Sequence, residues 1–326
     1  MDMEYMGAGS IRIPYKEQLK ELINLKENKK NQIHVFPGID PRRLQEDKSF
    51  LTYLMDRFSS KKFSGVKLYP ALGFYPFDKR FKSLYEYCIR YDIPIMTHCI
   101  EGTIYYRGSK TRNSDEHAHL NNKNEWNHHP ILKVNAQSEP LKLPQRANHD
   151  FTKNFTHPLN YKCLLDPKKA TEYFGDQVDF SQLKICLAHF GGSAEWDRYF
   201  EDIYETYNNN LFNKENIGKA TAYTNVQKIW DSASWLSIIY DLMATYDNVY
   251  ADMSFMLYNK NNFELLKLLI DDNRVGHKIL FGTDFYVVAQ KGTEKRLYHT
   301  IRAELGEERF KKVASINPEN FLKTKF

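Results

Sequence analysis

Six short apolar runs alternate with longer stretches whose apolar residues recur every three or four positions. The runs are "IHVFPGI" (33–39), "GVKLYP" (65–70), "IPIMTH" (93–98), "KICLAH" (184–189), "NVYADMS" (248–254) and "KILFGTD" (278–284). Between them, "YKEQLKELINLKEN" (15–28) brings Leu19, Leu22, Ile23 and Leu25 near one helical face, and 81–91, 235–246 and 261–271 behave alike. Strand, helix, strand at this pitch predicts βαβ units and a parallel sheet. The runs are almost continuously apolar, as expected when helices cover one face of the strands and a packed interior the other. Two polar excursions break the rhythm, 104–165 and 206–220. The first reads as an insertion with little periodicity, of the length that functional lids have. The chain reads as one domain over 1–326.

Three of the runs end on a titratable residue. "PIMTHCIEG" (94–102) stops at His98, "KICLAHFGG" (184–192) at His189 and "KILFGTDFY" (278–286) at Asp284. Strand alternation puts Pro94, Met96 and His98 on one face, Ile185, Leu187 and His189 on one face, and Leu280, Gly282 and Asp284 on one face. In a parallel barrel these inward stripes finish at the same C-terminal rim, where barrel enzymes place their sites. A lone histidine at a strand end is more often a hydrogen-bonded rim residue, and a lone "GTD" is commonly a turn or helix cap. Three such ends in order point to a site. Two imidazoles and a carboxylate converging there suit a divalent ion such as zinc, with Asp284 taking the proton of a metal-bound water.

Composition narrows the partners. The 46 Lys and Arg and 41 Asp and Glu are scattered without a basic stripe, which argues against nucleic acid. No apolar run approaches the length that spans a bilayer, and the first residues carry no signal-peptide pattern. The four cysteines (88, 99, 163 and 186) form no CxxC pair and read as reduced thiols, so a cytoplasmic location is expected.

Together, "GVKLYPALGFYPFD" (65–78), "PIMTHCIEG", "LKICLAHFGG" (183–192), "NVYADMS" and "ILFGTDF" (279–285) resemble the amidohydrolase superfamily, over most of 33–322. The nearest branch is the amidohydrolase-related metal-dependent hydrolases that include the aminocarboxymuconate-semialdehyde decarboxylase group. The resemblance implies an α/β fold, a (β/α)8 TIM-like barrel with the long insertion after its fifth strand. It matches His98 to the metal-binding histidine of the fifth strand and His189 to the sixth-strand histidine that binds metal or acts as acid–base. Asp284 matches the eighth-strand aspartate that binds metal and handles the water's proton. Lys67 falls on the fourth strand as a holder of a substrate carboxylate or a rim charge, and Tyr69 shares its face. Arg107, with Tyr105 and Tyr106, is assigned to the pocket wall from the insertion.

The resemblance also implies a first strand ending in His-x-His, which no run before 33 supplies. "MDMEYM" (1–6) matches the second strand instead, with Asp2 and Glu4 on one face, so the barrel is expected to be incomplete at its N-terminus. His117 and His119, in "DEHAHLNN", are read as lying outside the ligand set, and His128 and His129 as surface loop residues. Arg42 and Arg43 follow an Asp-Pro that can open a helix, or could meet a substrate carboxylate at the rim. The function expected is metal-dependent hydrolysis of an amide, ester or lactone-like bond of a small acidic or aromatic molecule. The rivals are a metal-dependent decarboxylase on the same scaffold and a non-catalytic barrel that has lost its metal. Unpaired strand edges of a broken barrel leave room for a homo-oligomer.

Overall fold

The computed structural model describes residues 2–29, 32–102, 104, 106–108, 128–134, 139–143, 148–201, 226–254, 256–257, 259, 261–285 and 292–326; Tyr105, His117, His119 and the 206–220 stretch lie outside them. Five strands form a parallel sheet: β1 (Val66–Leu68), β2 (Ile95–Ile100), β5 (Ile185–Gly191), β6 (Val249–Asp252) and β7 (Ile279–Leu280), in the order β1-β2-β5-β6-β7. The intervening β3 (His128–Lys133) and β4 (Pro140–Lys142) make a separate antiparallel pair. The run at 33–39 joins the edge of β1 only through a bridge at Gly38. Its carbonyls at Val35 and Pro37 accept from Ser64 and Lys67, and Ile39 donates to Lys67 O. Pro37 has no N–H to donate, which keeps this stretch from pairing as a full strand.

The predicted helices at 15–28, 81–91, 235–246 and 261–271 appear as Tyr15–Asn28, Lys82–Tyr91, Trp235–Thr245 and Asn262–Asp271. In Tyr15–Asn28 the buried stripe is Tyr15, Leu19, Ile23 and Lys26, while Leu22 and Leu25 face outward. Ser234 caps Trp235–Thr245 by accepting from Leu236 N, and that helix is buried along nearly its whole length. Among the described residues no helix is long and apolar enough to cross a membrane. All four cysteines are free and buried.

Three expectations are corrected by the fold. Residues 2–6 form no strand: Met3–Tyr5 is a single 3-10 turn capped by Asp2, which accepts from Glu4 N. The described part of the 104–165 insertion is ordered structure on the main core, including β3, β4, Asn148–Thr156 and Leu159–Leu165. Its Leu132, Leu141, Phe155, Tyr161 and Leu164 are buried in that core, too sparsely spaced along the chain to show as a period. His129 is likewise buried: its Nδ1 accepts from Ile131 N (3.1 Å) and Leu132 N (2.8 Å), and its Nε2 meets Asn160 Oδ1 at 2.8 Å.

The sheet is an open barrel. Its interior face carries Met96, Cys186, Tyr250 and Leu280, which pack with Phe36 from one edge and with Phe321 and Leu322 from the C-terminal helix Asn317–Leu322. Phe321 stands 5.0 Å from the Tyr250 ring. Thus a helix, held by Asn317 Nδ2 on the carbonyls of Gly276 (2.9 Å) and Ile279 (2.8 Å), lays an apolar ring against the interior face of the sheet. Burying that ring contributes about 2–3 kcal/mol.

Candidate active site

A cavity of about 290 Å³ opens at the C-terminal ends of the strands and reaches into the interior. Lys67, His189, Asp252, Ser254 and Asp284 supply its polar wall, and Phe36, Met96, Leu280, Phe281 and Phe321 much of the apolar one. Lys67 is inward on β1 beside Met96 of β2, as alternation and the parallel register require. Its amine pKa is pulled down by burial, against the opposing pull of Asp252, Cys186 and Asp284.

His189 reaches the cavity by a route that alternation does not give. On β5 the inward residue is Cys186, whereas Ile185 and Leu187 face outward into the core beneath the helices. Continued alternation would point His189 outward as well. The backbone instead turns left-handed over four residues, His189 (φ 68°), Phe190 (φ 45°), Gly191 (φ 83°) and Gly192 (φ 91°). Left-handed geometry at two non-glycine residues costs roughly 1–2 kcal/mol each, strain of the kind that gathers at functional sites. Glycine at 192 is also steric, since a Cβ there would sit 2.4 Å from Ile100 Cδ1. Asp284 is left-handed too (φ 53°).

Asp252 anchors the turn. Its Oδ1 accepts from His189 N (3.1 Å), from Ser254 N (3.0 Å) and from Ser254 Oγ. Because the Ser254 hydroxyl gives its proton to Asp252, Ser254 Oγ must accept from His189 Nδ1–H, at 2.9 Å. His189 Nε2 is then unprotonated and accepts from His98 Nδ1–H at 3.2 Å. His98 Nε2 in turn faces the Tyr69 hydroxyl at 3.4 Å, with the two rings stacked 4.3 Å apart. Every proton in this chain points toward Asp252, and both imidazoles are neutral. Burial lowers both histidine pKa values, and at His98 the neighbouring His189 and Lys67 lower it further. Burial raises the Tyr69 phenol, helped by the Asp284 charge.

Of the residues expected from sequence, Lys67, His189 and Asp284 line the cavity, while His98 and Tyr69 stand behind His189. Arg107 is exposed, with its amide on Met6 O, and Tyr106 packs against Phe151; neither is among the cavity's lining residues. The insertion does border the rim: Cys99 Sγ lies 3.5 Å from Thr156 O, and Lys153 pairs with Glu101 at 3.4 Å. Arg42 and Arg43 serve the scaffold, pairing with Asp40 (2.7 Å) and Asp2 (2.6 Å) respectively. Asp252 and Ser254 are the residues missed from sequence. Their signal was present in "YADMS", where a carboxylate and a hydroxyl two apart share the face that an apolar strand turns inward.

Among the described residues, the side chains do not match the expected zinc. The two facing nitrogens of His98 and His189 are 3.2 Å apart, but each is taken up by the other. A catalytic zinc takes three protein ligands. Among the described residues no group of three or more His, Cys, Asp or Glu side chains is placed to hold one ion, and no contact joins Asp284 to His98. Among the described residues this arrangement does not fit a catalytic zinc.

No protein-family model and no curated protein matches the chain by sequence. Its fold is similar to those of solved structures. One is an amidohydrolase II, a structural-genomics target, at TM-score 0.51 and 12% identity, covering 99% of this chain and 79% of that one. Two others are 2,6-dihydroxybenzoate decarboxylase from Rhizobium (TM-score 0.47, 13% identity, 94% and 76% covered) and 5-carboxyvanillate decarboxylase from Sphingomonas paucimobilis (TM-score 0.48, 12% identity, 95% and 72% covered).

Proposed function

We propose that the rim cavity is the active site of a hydrolase acting on an amide, ester or lactone-like bond of a small carboxylate-bearing molecule. The observation that carries this reading is the placement of Asp284 at the exposed mouth, across the cavity from Lys67 in its interior. A substrate carboxylate beside Lys67 favours the charged amine that burial alone disfavours. Asp284 then takes the proton of the attacking water at the open end, where water is available, and returns it to the leaving amine or alkoxide as its bond to the acyl carbon breaks. His189, neutral and fixed by Ser254, presents its ring to the bond between them. We read the whole chain as one domain serving this site.

Decarboxylation is a second reading, favoured by the apolar wall around Lys67. Phe36, Met96, Leu280 and Phe321 would desolvate a carboxylate placed among them. The two readings separate by product. A panel of carboxylate-bearing esters, amides and lactones is followed for acid release, and a panel of arenecarboxylates for carbon dioxide. Acid release that Lys67→Met lowers mainly through KM supports hydrolysis; carbon dioxide without acid release overturns it.

A further inference from the structure

A second cavity, of about 330 Å³, lies at the opposite end of the sheet. Ser64 and Ile93 line it just before β1 and β2 begin, together with Lys26, His34, Lys61, Phe58, Phe63 and the C-terminal segment. No acidic side chain lines it among the described residues, and Glu27, the neighbouring acid, is paired with Lys62 at 3.1 Å. Lys26 is a buried amine that spends two of its three donors on Lys61 O (2.5 Å) and Ser64 Oγ (3.1 Å). Ser64, accepting from Lys26, can donate to His34 Nδ1 at 3.2 Å, which leaves the proton of His34 on Nε2 as a further donor. Burial lowers the pKa of Lys26, and no acid opposes it; His34 is lowered by burial and by Lys26. Apart from Lys61 and Thr324 the rest of the wall carries apolar side chains, with the Phe58 and Phe63 rings edge-to-face at 6.0 Å.

We propose that this cavity is a binding site for a small aromatic monocarboxylate, its carboxylate on Lys26 and His34 and its ring among Phe58, Phe63 and Ile93. Two donors with no acidic side chain between them among the described residues call for an anion, and the aromatic wall calls for a flat apolar body. The volume falls at the lower end of the range for ligand pockets. Leu322 lines this cavity and the rim cavity alike, so the two sites share one wall residue.

The test uses fluorine NMR of the full chain carrying Lys67→Met, which removes the carboxylate anchor of the rim cavity. With 4-fluorobenzoate as probe, binding is expected to persist in that background and to weaken at least tenfold when Lys26→Met is added. Neutral 4-fluorobenzamide is expected not to compete. His34→Ala alters an exposed ring and serves as the deciding variant if Lys26→Met does not fold; a threefold or greater weakening is expected. Unchanged affinity in the variant that folds, equal binding of the benzamide, or no binding of the benzoate in the Lys67→Met background overturns the proposal.

Discussion

Lowering the pH from 6.5 to 5.5 should destabilise this fold through two histidines remote from the cavity. His129 and His157 are both fully enclosed, and both use Nδ1 as an acceptor. His129 Nδ1 takes Ile131 N and Leu132 N, while His157 Nδ1 takes Leu159 N at 3.2 Å. Their Nε2 protons go to Asn160 Oδ1 and Trp230 O (3.2 Å), and the His157 ring lies 3.8 Å over that of Trp230. A second proton could land only on Nδ1, displacing backbone donors inside the core. Burial accordingly depresses both, His129 to about 3 and His157 well below its ordinary value. In the unfolded chain each titrates near 6.5. The folded pKa lies below the unfolded one, so the unfolded state binds more protons and stability falls as pH drops through 6.5. Across that single pH unit each histidine costs about 1 kcal/mol, and the pair about 2 kcal/mol. His98 and His189 act in the same direction, while the raised carboxyl of Glu195 opposes them. Urea titrations at both pH values, on the wild type and on His129→Gln, isolate the effect. The variant should lose about 1 kcal/mol of the wild-type pH dependence. An identical pH dependence in both proteins would refute the buried, neutral assignment and with it the placing of β3 and the Leu159–Leu165 helix on the core.

Ser254→Ala strands the His189 Nδ1–H inside the site and removes one of three donors to Asp252 Oδ1; a loss of about 1–3 kcal/mol is expected by chemical denaturation, and no measurable loss would break the hydrogen-bond chain from Tyr69 to Asp252. Phe321→Ala removes the ring packed on Tyr250 at the interior face of the sheet, and about 3–5 kcal/mol should disappear in the same assay. A loss under 1 kcal/mol would mean that the C-terminal helix does not pack on that face. Elemental analysis of the purified protein should find zinc below one equivalent, because the described residues bring no three ligands together. A stoichiometric, dialysis-resistant ion would contradict that reading.

The strands and the first helix were legible because both depend on local periodicity. Tyr15–Asn28 and the starts of β2, β5 and β7 fall within two residues of where the apolar pattern places them. His98 and His189 fall inside β2 and β5, and Asp284 lies four residues beyond β7, so the strand ends read from sequence are approximate. Three features were not. The inward turn of His189 depends on left-handed backbone across His189–Gly192, which overrides the two-residue period of β5. The buried role of His129 depends on Asn160, 31 residues away, and no local pattern encodes a partner at that distance. Tyr69 and His98 look like site residues in sequence, yet their hydroxyl and ring are spent supporting His189. Polar residues at strand ends mark the place of a site more reliably than the role each residue plays in it.

The central claim is that Asp284, at the mouth of the rim cavity, takes the proton of the attacking water. Turnover of the best carboxylate-bearing ester or amide is therefore to be compared between wild type and Asp284→Asn. The amide keeps the size of the exposed side chain and cannot accept the proton. The melting temperature should stay within a few degrees of the wild type, while kcat falls by about 10²–10⁴. An Asp284→Asn protein that turns the substrate over at a near-normal rate would contradict the account.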